Sequence, residues 1–262
     1  MSTNSEGNTV WLWPGLLMMA TPALKNSPHV HFPASLYVGL EDEVEVITDT
    51  AKHKGRLVLV RANVEQQVDS GGKPLLDLLI DADGASYRYL EPLLGEANAA
   101  VLDYQRVAVL EADMRRALAG SIDCTEAWGL VEQVLISLSA YRPERPDFDP
   151  RISQIATELR AELPVNPNVA ELAAKAAVSE SRFLHLFKQQ YGLPVRQYLL
   201  WARLRRAADL WHSGSSLADI AAEVGFYDQA HFARTVRRVF DFSPSWLANP
   251  QNLTVHNCRC DE

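Results

Sequence analysis

The chain has 262 residues, of which 47% are hydrophobic and 22% charged, with a formal net charge of −8. That length accommodates two ordinary domains with separate cores, and the composition excludes the disordered and fibrous classes. Three cysteines, Cys124, Cys258 and Cys260, are too few and too odd in number for a secreted disulfide framework.

After a polar arm comes "VWLWPGLLMMA", Val10 to Ala20. It is too short to span a bilayer, and Pro14 interrupts it. Glu6 precedes it and no Lys or Arg does, so the basic n-region of a signal peptide is missing. It reads as a buried first strand of a cytoplasmic protein with no membrane partner. Ser35 to Leu40, Glu43 to Thr48, Arg56 to Val60, Val64 to Val68 and Pro74 to Ile80 are short apolar or alternating runs. Turn-prone clusters such as "HKG" and "DSGGKP" separate them. Many short strands at close spacing predict a sandwich or small barrel.

From Glu96 the period becomes helical. Val101, Tyr104, Ala108 and Ala112 recur at helix spacing, and Gly120 ends the segment. A second helix follows over "CTEAWGLVEQVLISLSAY". The pair reads equally well as a cover for the barrel or as a dimer interface. "RPERPDFDP", Arg142 to Pro150, holds three prolines without periodicity and reads as a linker over 142–150. It separates a domain over 1–141 from a helical domain over 151–249. Residues 250–262, with His256, Cys258 and Cys260, read as a flexible tail.

The charge divides at the linker. Residues 1–149 carry 12 Lys and Arg against 22 Asp and Glu; the remainder carry 13 against 11. The acidity therefore belongs to the first half, and any use of the cations in the second depends on their placement.

A repeat organises the second half. "SESRFLHLFKQQYG" lies over "DQAHFARTVRRVFD" at an offset of 49, and "ELAAKAAV" over "DIAAEVGF" at 48. A helix, a tight turn and a second helix thus occur twice. One long helix from Val195 to about His212 joins them, with Pro194 at its start and Gly214 at its end. Ser179 and Asp228 are placed to cap each second helix, Ser216 to cap the first helix of the second pair, and Ala177 and Gly225 suit the inter-helix turns. At 100° per residue, Phe183 and Phe187 lie opposite Ser181, Leu184, His185 and Lys188. Phe232, Val236 and Val239 likewise lie opposite Arg234 and Arg237, with His231 and Arg238 at the edge. A charged face on one helix is ordinarily solvated surface. Two such faces in one register are harder to explain that way, and they suit helices entering the major groove, with short or hydrogen-bonding residues at base edges and cations at phosphates.

"IAAEVGFYDQAHFARTVRRVFDFSPSWL" and "VSESRFLHLFKQQYG" resemble the DNA-binding signature of the AraC/XylS transcription regulators, over about residues 150–249. The resemblance implies seven helices forming two helix-turn-helix units that read adjacent major-groove segments of double-stranded DNA. Asp241 stands where that family usually has Gly, and Val236 where it usually has an aromatic residue. The base-reading candidates are Ser181, Leu184, His185, Gln229, His231 and Arg234. The phosphate candidates are Arg182, Lys188, Arg196, Arg237 and Arg238. The resemblance also implies a cupin-like N-terminal barrel for an unknown small-molecule effector, and a homodimer, with RNA polymerase as a further partner.

The expected fold is therefore α+β in two domains, a cupin-like β-barrel with helices followed by an all-α tandem helix-turn-helix domain. His29 and His31 in "PHVH" raise the alternative of a cupin-type metal-dependent enzyme with an accessory helical domain. Metal binding needs further converging ligands. Ser35 and Leu36 stand near the position of the usual Glu, and Gln66 stands at that of the second His. No metal, cofactor or catalysis is expected. His29, His31 and Tyr37 are candidates for an effector pocket.

Overall fold

In a computed structural model, which describes residues 7–49, 51–82, 84–138, 148–211 and 214–258, the apolar run Val10 to Ala20 is a hairpin and not one strand. Its strands are β1 (Thr9–Trp13) and β2 (Leu16–Thr21). Pro14 and Gly15 form the two-residue turn, and Gly15 has φ 79°, a left-handed conformation that glycine adopts without strain. The chain continues through β3 (His29–His31), β4 (Ala34–Gly39), β5 (Val44–Thr48), β6 (Lys52–Gly55), β7 (Leu57–Val60), β8 (Val64–Asp69) and β9 (Leu75–Ile80). The "HKG" cluster, expected as a turn, lies in β6. Pairing with β5 overrides its weak strand propensity.

The expected helix from Glu96 is mostly something else. Ala99–Val101 form β10 against β7, two 3₁₀ turns follow, and only Glu111–Leu118 is α-helical. Asp103 accepts a hydrogen bond from the Gln105 amide and starts the first of those turns. Short apolar stretches satisfy both periods, and here the open edge of β7 decides. The helices of this half are α1 (Ala85–Leu90), α2 (Glu111–Leu118) and α3 (Cys124–Leu138).

Contacts divide the chain into two units. One comprises Met1–Pro143, Val239–Asp241 and Trp246–Glu262; the other comprises Glu144–Arg238 and Phe242–Ser245. Most of the expected linker, residues 142–147, lies outside the described residues.

The first unit has a seven-stranded sheet, ordered β10-β7-β4-β9-β2-β1-β11, and a four-stranded sheet, ordered β3-β8-β5-β6. Among the described residues the ladders form two sheets and no continuous barrel. Phe32 and Pro33 carry the chain from one sheet to the other, and Pro33, lacking an N–H, ends the ladder there. Alternation splits the large sheet into two faces. Trp11, Met18, Leu36, Leu59, Leu78 and Ile80 share one face and pack in a single apolar cluster with Met114 and Ala117 of α2 and Leu130, Val131 and Val134 of α3. The helices therefore cover this sheet. Deleting one such buried leucine side chain costs about 2–5 kcal/mol.

The tail expectation is corrected in part. Thr254–Asn257 form β11, parallel to β1, with the His256 ring stacked on Trp11 at 5.4 Å. Cys258 is joined by a disulfide to Cys124 at the start of α3. The outer edge of β1 is thereby paired instead of left open. Residues 259–262, including Cys260, lie outside the described residues.

The second unit contains α4 (Pro150–Glu162), α5 (Val169–Lys175), α6 (Glu180–Tyr191), α7 (Val195–Leu210), α8 (Leu217–Glu223), α9 (Gln229–Phe240, its last two residues counted with the first unit) and α10 (Pro244–Leu247). These are the seven helices that the resemblance implied, among the described residues. Ile152, Leu159, Phe183, Phe187, Tyr198 and Leu204 are buried at the meeting of α4, α6 and α7.

Candidate nucleic-acid interface and an inner polar layer

The repeat in the sequence is a repeat in space. Helices α5 and α8 each have 7 residues, and α6 and α9 each have 12. The turns between them pass through Ala177 at φ 54° and Gly225 at φ 78°. Ala177 tolerates the strain that Gly225 avoids. Past α9, Asp241 has φ 58° at the position matching Gly192, which has φ 69° after α6. Asp is among the few non-glycine residues that enter the left-handed region readily, so this departure preserves the backbone. Val236 is fully buried, filling the apolar side of α9 in place of a ring.

The helix starts are capped as the sequence predicts. Ser179 Oγ accepts from the Arg182 amide, Asp228 Oδ1 from the His231 amide, and Ser216 Oγ from the Asp219 amide. Replacing Ser179 or Asp228 by Ala should each lower the melting stability of the helical unit by about 1 kcal/mol. Thermal unfolding followed by circular dichroism measures this. An unchanged midpoint in both would mean that packing alone holds these helix starts.

Ser181, Arg182, Leu184, His185 and Lys188 are exposed on α6, opposite buried Phe183 and Phe187. Gln229, His231, Arg234, Arg237 and Arg238 are exposed on α9, opposite buried Phe232, Val236 and Val239. Leu184 is 42% exposed, unusual for a leucine and available to a base methyl. The His231 ring rests edge-on against Phe226, with centroids 5.3 Å apart, which restrains its reach. Sequence reasoning passed over Tyr227, which is 93% exposed beside the N-terminus of α9. Its signal was a large aromatic between a turn glycine and a capping Asp.

The cations separate into two groups. Arg151 pairs with Asp149, Lys175 with Glu158 and Arg206 with Glu223. Arg160 donates to Tyr198 Oη, and Arg203 donates to the carbonyls of Leu163 and Pro164. By contrast, Arg182, Lys188, Arg196, Arg234, Arg237 and Arg238 are exposed and form no ion pair among the described residues. Five of these six lie on α6 and α9, and Arg196 is at the start of α7. Unneutralised positive charge is thus concentrated on the second helix of each repeat.

A second cluster lies in the first unit, on the face of the large sheet that turns away from α2 and α3. Ser35 and Tyr37 of β4 share that face with Asp77, the register partner of Tyr37 on β9. Hydrogen bonds join this face to the small sheet. His31 Nδ1 lies 3.0 Å from Ser35 Oγ, and Gln66 Nε2 donates to Ser35 Oγ at 3.0 Å. His29 and His31 meet through their Nε2 atoms at 2.8 Å. His29, His31 and Tyr37 thus belong to one buried layer. Ser35, Gln66, Asp77 and the inward-facing His53 join it, and sequence reasoning did not assign them to a site. A lone Asp inside "LLDLLI" was the visible signal. Burial pushes the Asp77 carboxyl up to about 8 and the Tyr37 phenol far above its usual range. It also lowers both His29 and His31, so the two imidazoles face each other uncharged.

Among the described residues, His53 Nε2, Gln66 Oε1 and Asp77 Oδ1 are buried in this layer without a hydrogen-bond partner. Each such atom costs about 1–3 kcal/mol. Among the described residues no group of three or more His, Cys, Asp or Glu converges as metal ligands would, and no helix is long and apolar enough to cross a membrane.

Residues 172–249 match the family model described as "Helix-turn-helix domain". The "HTH-type transcriptional activator RhaS" of Klebsiella pneumoniae (strain 342) is 36% identical over 112 residues, which cover 42% of this chain and 40% of that protein. The "HTH-type transcriptional regulator MtrA" of Neisseria gonorrhoeae is 26% identical over 149 residues, covering 53% and 49%. The chain therefore spans less than half the length of these curated relatives. Their names describe regulators, not enzymes. Among solved structures, ToxT from Vibrio cholerae O395 superposes with a TM-score of 0.58 over 90% of this chain and 97% of its own. At 12% identity that likeness concerns the fold alone: a sheet-rich first half and a helical second half. One ToxT structure is described as bound to an unsaturated fatty acid.

Proposed function

By its helix-turn-helix domain the chain belongs with the AraC-type transcription regulators, and from that premise we propose that it binds double-stranded DNA in a sequence-specific manner under the control of a small-molecule effector. The observation that carries this is the division of the cations. Among the described residues those on α6, α9 and the start of α7 form no ion pair, whereas Arg151, Lys175 and Arg206 are ion-paired and Arg160 and Arg203 donate hydrogen bonds. Phosphates are the partners that such charges suit. Ser181, Leu184, His185, Gln229, His231 and Arg234 read bases. Arg182, Lys188, Arg196, Arg237 and Arg238 hold the backbone. The inner layer around His29, His31 and Tyr37 is the effector site, and its orphaned polar atoms support that assignment. Homodimerisation and contact with RNA polymerase rest on family membership.

Helix α7 spans 16 residues, about 24 Å at 1.5 Å per residue. Successive major-groove faces recur every ~34 Å. The recognition helices can bridge the difference by projecting beyond α7, or the DNA can bend at a cost of a few kcal/mol. Each protomer should then protect about two helical turns, roughly 20 base pairs, as an asymmetric site. Footprinting the full chain on operator DNA selected from a random library tests this. Protection of a single major-groove segment per protomer would reduce one repeat to a packing element.

A further inference from the structure

Cys124 and Cys258 are joined by a disulfide in a chain whose three cysteines do not make a secreted framework. A DNA-binding regulator works where dithiols keep cysteines reduced, and a disulfide that forms there is ordinarily transient and redox-sensing.

The strand next to this pair buries little. Strand β11 has four residues, with Thr254 and Asn257 exposed and Val255 and His256 half-buried. It is laid along β1 by its ladder, by the His256 ring on Trp11, and by Asn8, whose side chain donates to the Asn252 carbonyl just before it. Ordering a short edge strand costs backbone entropy that so little apolar burial hardly offsets. The disulfide bridges a separation of 134 residues, and a cross-link over so long a span removes much of the freedom that a loose tail would regain.

Cys258 is buried, whereas Cys124, the first residue of α3, is partly exposed. A reductant therefore reaches Cys124 first. The thiolate of a dithiol attacks Cys124 Sγ, the S–S bond breaks, and Cys258 leaves as a thiolate that takes up a proton. The second thiol of the reductant then displaces Cys124 from the mixed disulfide. Two electrons and two protons pass to the chain, which gains two thiols, and the dithiol becomes a disulfide. Closure is the reverse, with an oxidised dithiol as electron acceptor.

Release of β11 changes how the two units are connected. Residues Glu144–Arg238 and Phe242–Ser245 belong to the helical unit, and Trp246–Glu262 to the first. The chain thus ties the helical unit to the first unit at both of its ends. Once β11 leaves β1, the tie near residue 246 slackens and the one near residue 144 remains. Residues 1–149 carry 22 Asp and Glu against 12 Lys and Arg. Two ties limit how far this acidic unit can withdraw from DNA, and the repulsion grows as salt falls.

We propose that Cys124 and Cys258 form a thiol–disulfide exchange site for a dithiol reductant, and that its opening releases β11 from β1 and strengthens DNA binding. The proposal rests on the reading of the helical unit as a DNA-binding domain and adds a redox control to it.

The test uses the full chain carrying Cys260→Ser, so that one pair alone can form, equilibrated in mixtures of reduced and oxidised dithiothreitol. Alkylation followed by mass spectrometry should count two free thiols in the reduced form and none in the oxidised form. Amide hydrogen exchange at residues 254–258 should be about tenfold faster or more after reduction, with β4 and β9 unchanged. Gel shifts on operator DNA at low salt should show about fivefold tighter binding or more by the reduced form, a gap that narrows as salt is raised. Cys124→Ser and Cys258→Ser should each bind like the reduced form under both conditions. A pair that excess reduced dithiothreitol does not open in the folded protein is a permanent staple, and exchange at 254–258 that ignores reduction would mean that the ladder alone holds β11. Equal operator affinity in the two states would remove the control. Any of these three results overturns the proposal and leaves the DNA reading standing, whereas no DNA binding in either state would overturn both.

Discussion

Replacing Arg234 with alanine should relax base preference at one position of the operator without weakening non-specific binding to the same degree. Arg234 lies on the exposed face of α9 about one and a half turns from its start, opposite the buried Phe232 and Val236. A guanidinium there can reach guanine O6 and N7 together, a bidentate contact that discriminates by ~1–3 kcal/mol. In affinity terms that is roughly a 5- to 150-fold loss on the preferred operator, with near-equal affinity for variants at that base pair. Arg238, at the edge of the same face, should behave as a phosphate contact. Its removal should weaken all sequences alike and shallow the salt dependence by about one counterion. The measurement is a gel-shift series on the operator and its single-base variants at two salt concentrations. If both variants lower specific and non-specific binding by one common factor, Arg234 does not read a base.

Helices α6 and α9 were legible because two independent signals coincide there. The 3.6-residue period places Phe183, Phe187, Phe232 and Val236 inward, and the offset of 49 residues superposes one helix on the other. Local chemistry then fixes the ends: a capping side chain at Ser179, a capping side chain at Asp228 and a left-handed residue in each turn. The β half was legible only as β. Short apolar runs mark strands but carry no information about which edge pairs with which, so β3, β6, β10 and β11 emerge only from tertiary pairing. The inner layer was half visible. His29, His31 and Tyr37 stood out by residue type, but Ser35, Gln66 and Asp77 join them through a cross-strand register that no local pattern encodes. The disulfide between Cys124 and Cys258 was similarly out of reach, since it depends on β11 lying along β1.

The unfolding free energy of the first unit should be greatest near pH 6.5 and should fall on the alkaline side because of Asp77. Its carboxyl is buried at 3% exposure and pushed up to about 8, from the 3.8 of an ordinary aspartate. Between those two values the folded chain holds a proton that the unfolded chain has released. Stability therefore falls as pH rises, by about 1.4 kcal/mol per pH unit for one such group. His29 and His31 act in the opposite sense. Burial lowers both, so below about 6.5 the unfolded chain takes up protons that the folded chain refuses, and stability falls as pH drops. With two imidazoles against one carboxyl, the acid side slopes downward below 6.5. At 6.5 the unfolded imidazoles are still half protonated, and as they lose those protons at higher pH their contribution fades and that of Asp77 takes over. From pH 6.5 to 8 the imidazoles offset part of the Asp77 loss, leaving a net loss of roughly 1 kcal/mol that levels off above that. Asp77→Asn removes the proton without changing the shape of the side chain, so its stability should not fall across this window. Denaturant titrations of both proteins at pH 6.5, 7.2 and 8, followed by tryptophan fluorescence, compare the slopes directly. Equal slopes in the two proteins would mean that Asp77 is ionised in the folded state, with a counter-charge or water reaching it in the inner layer.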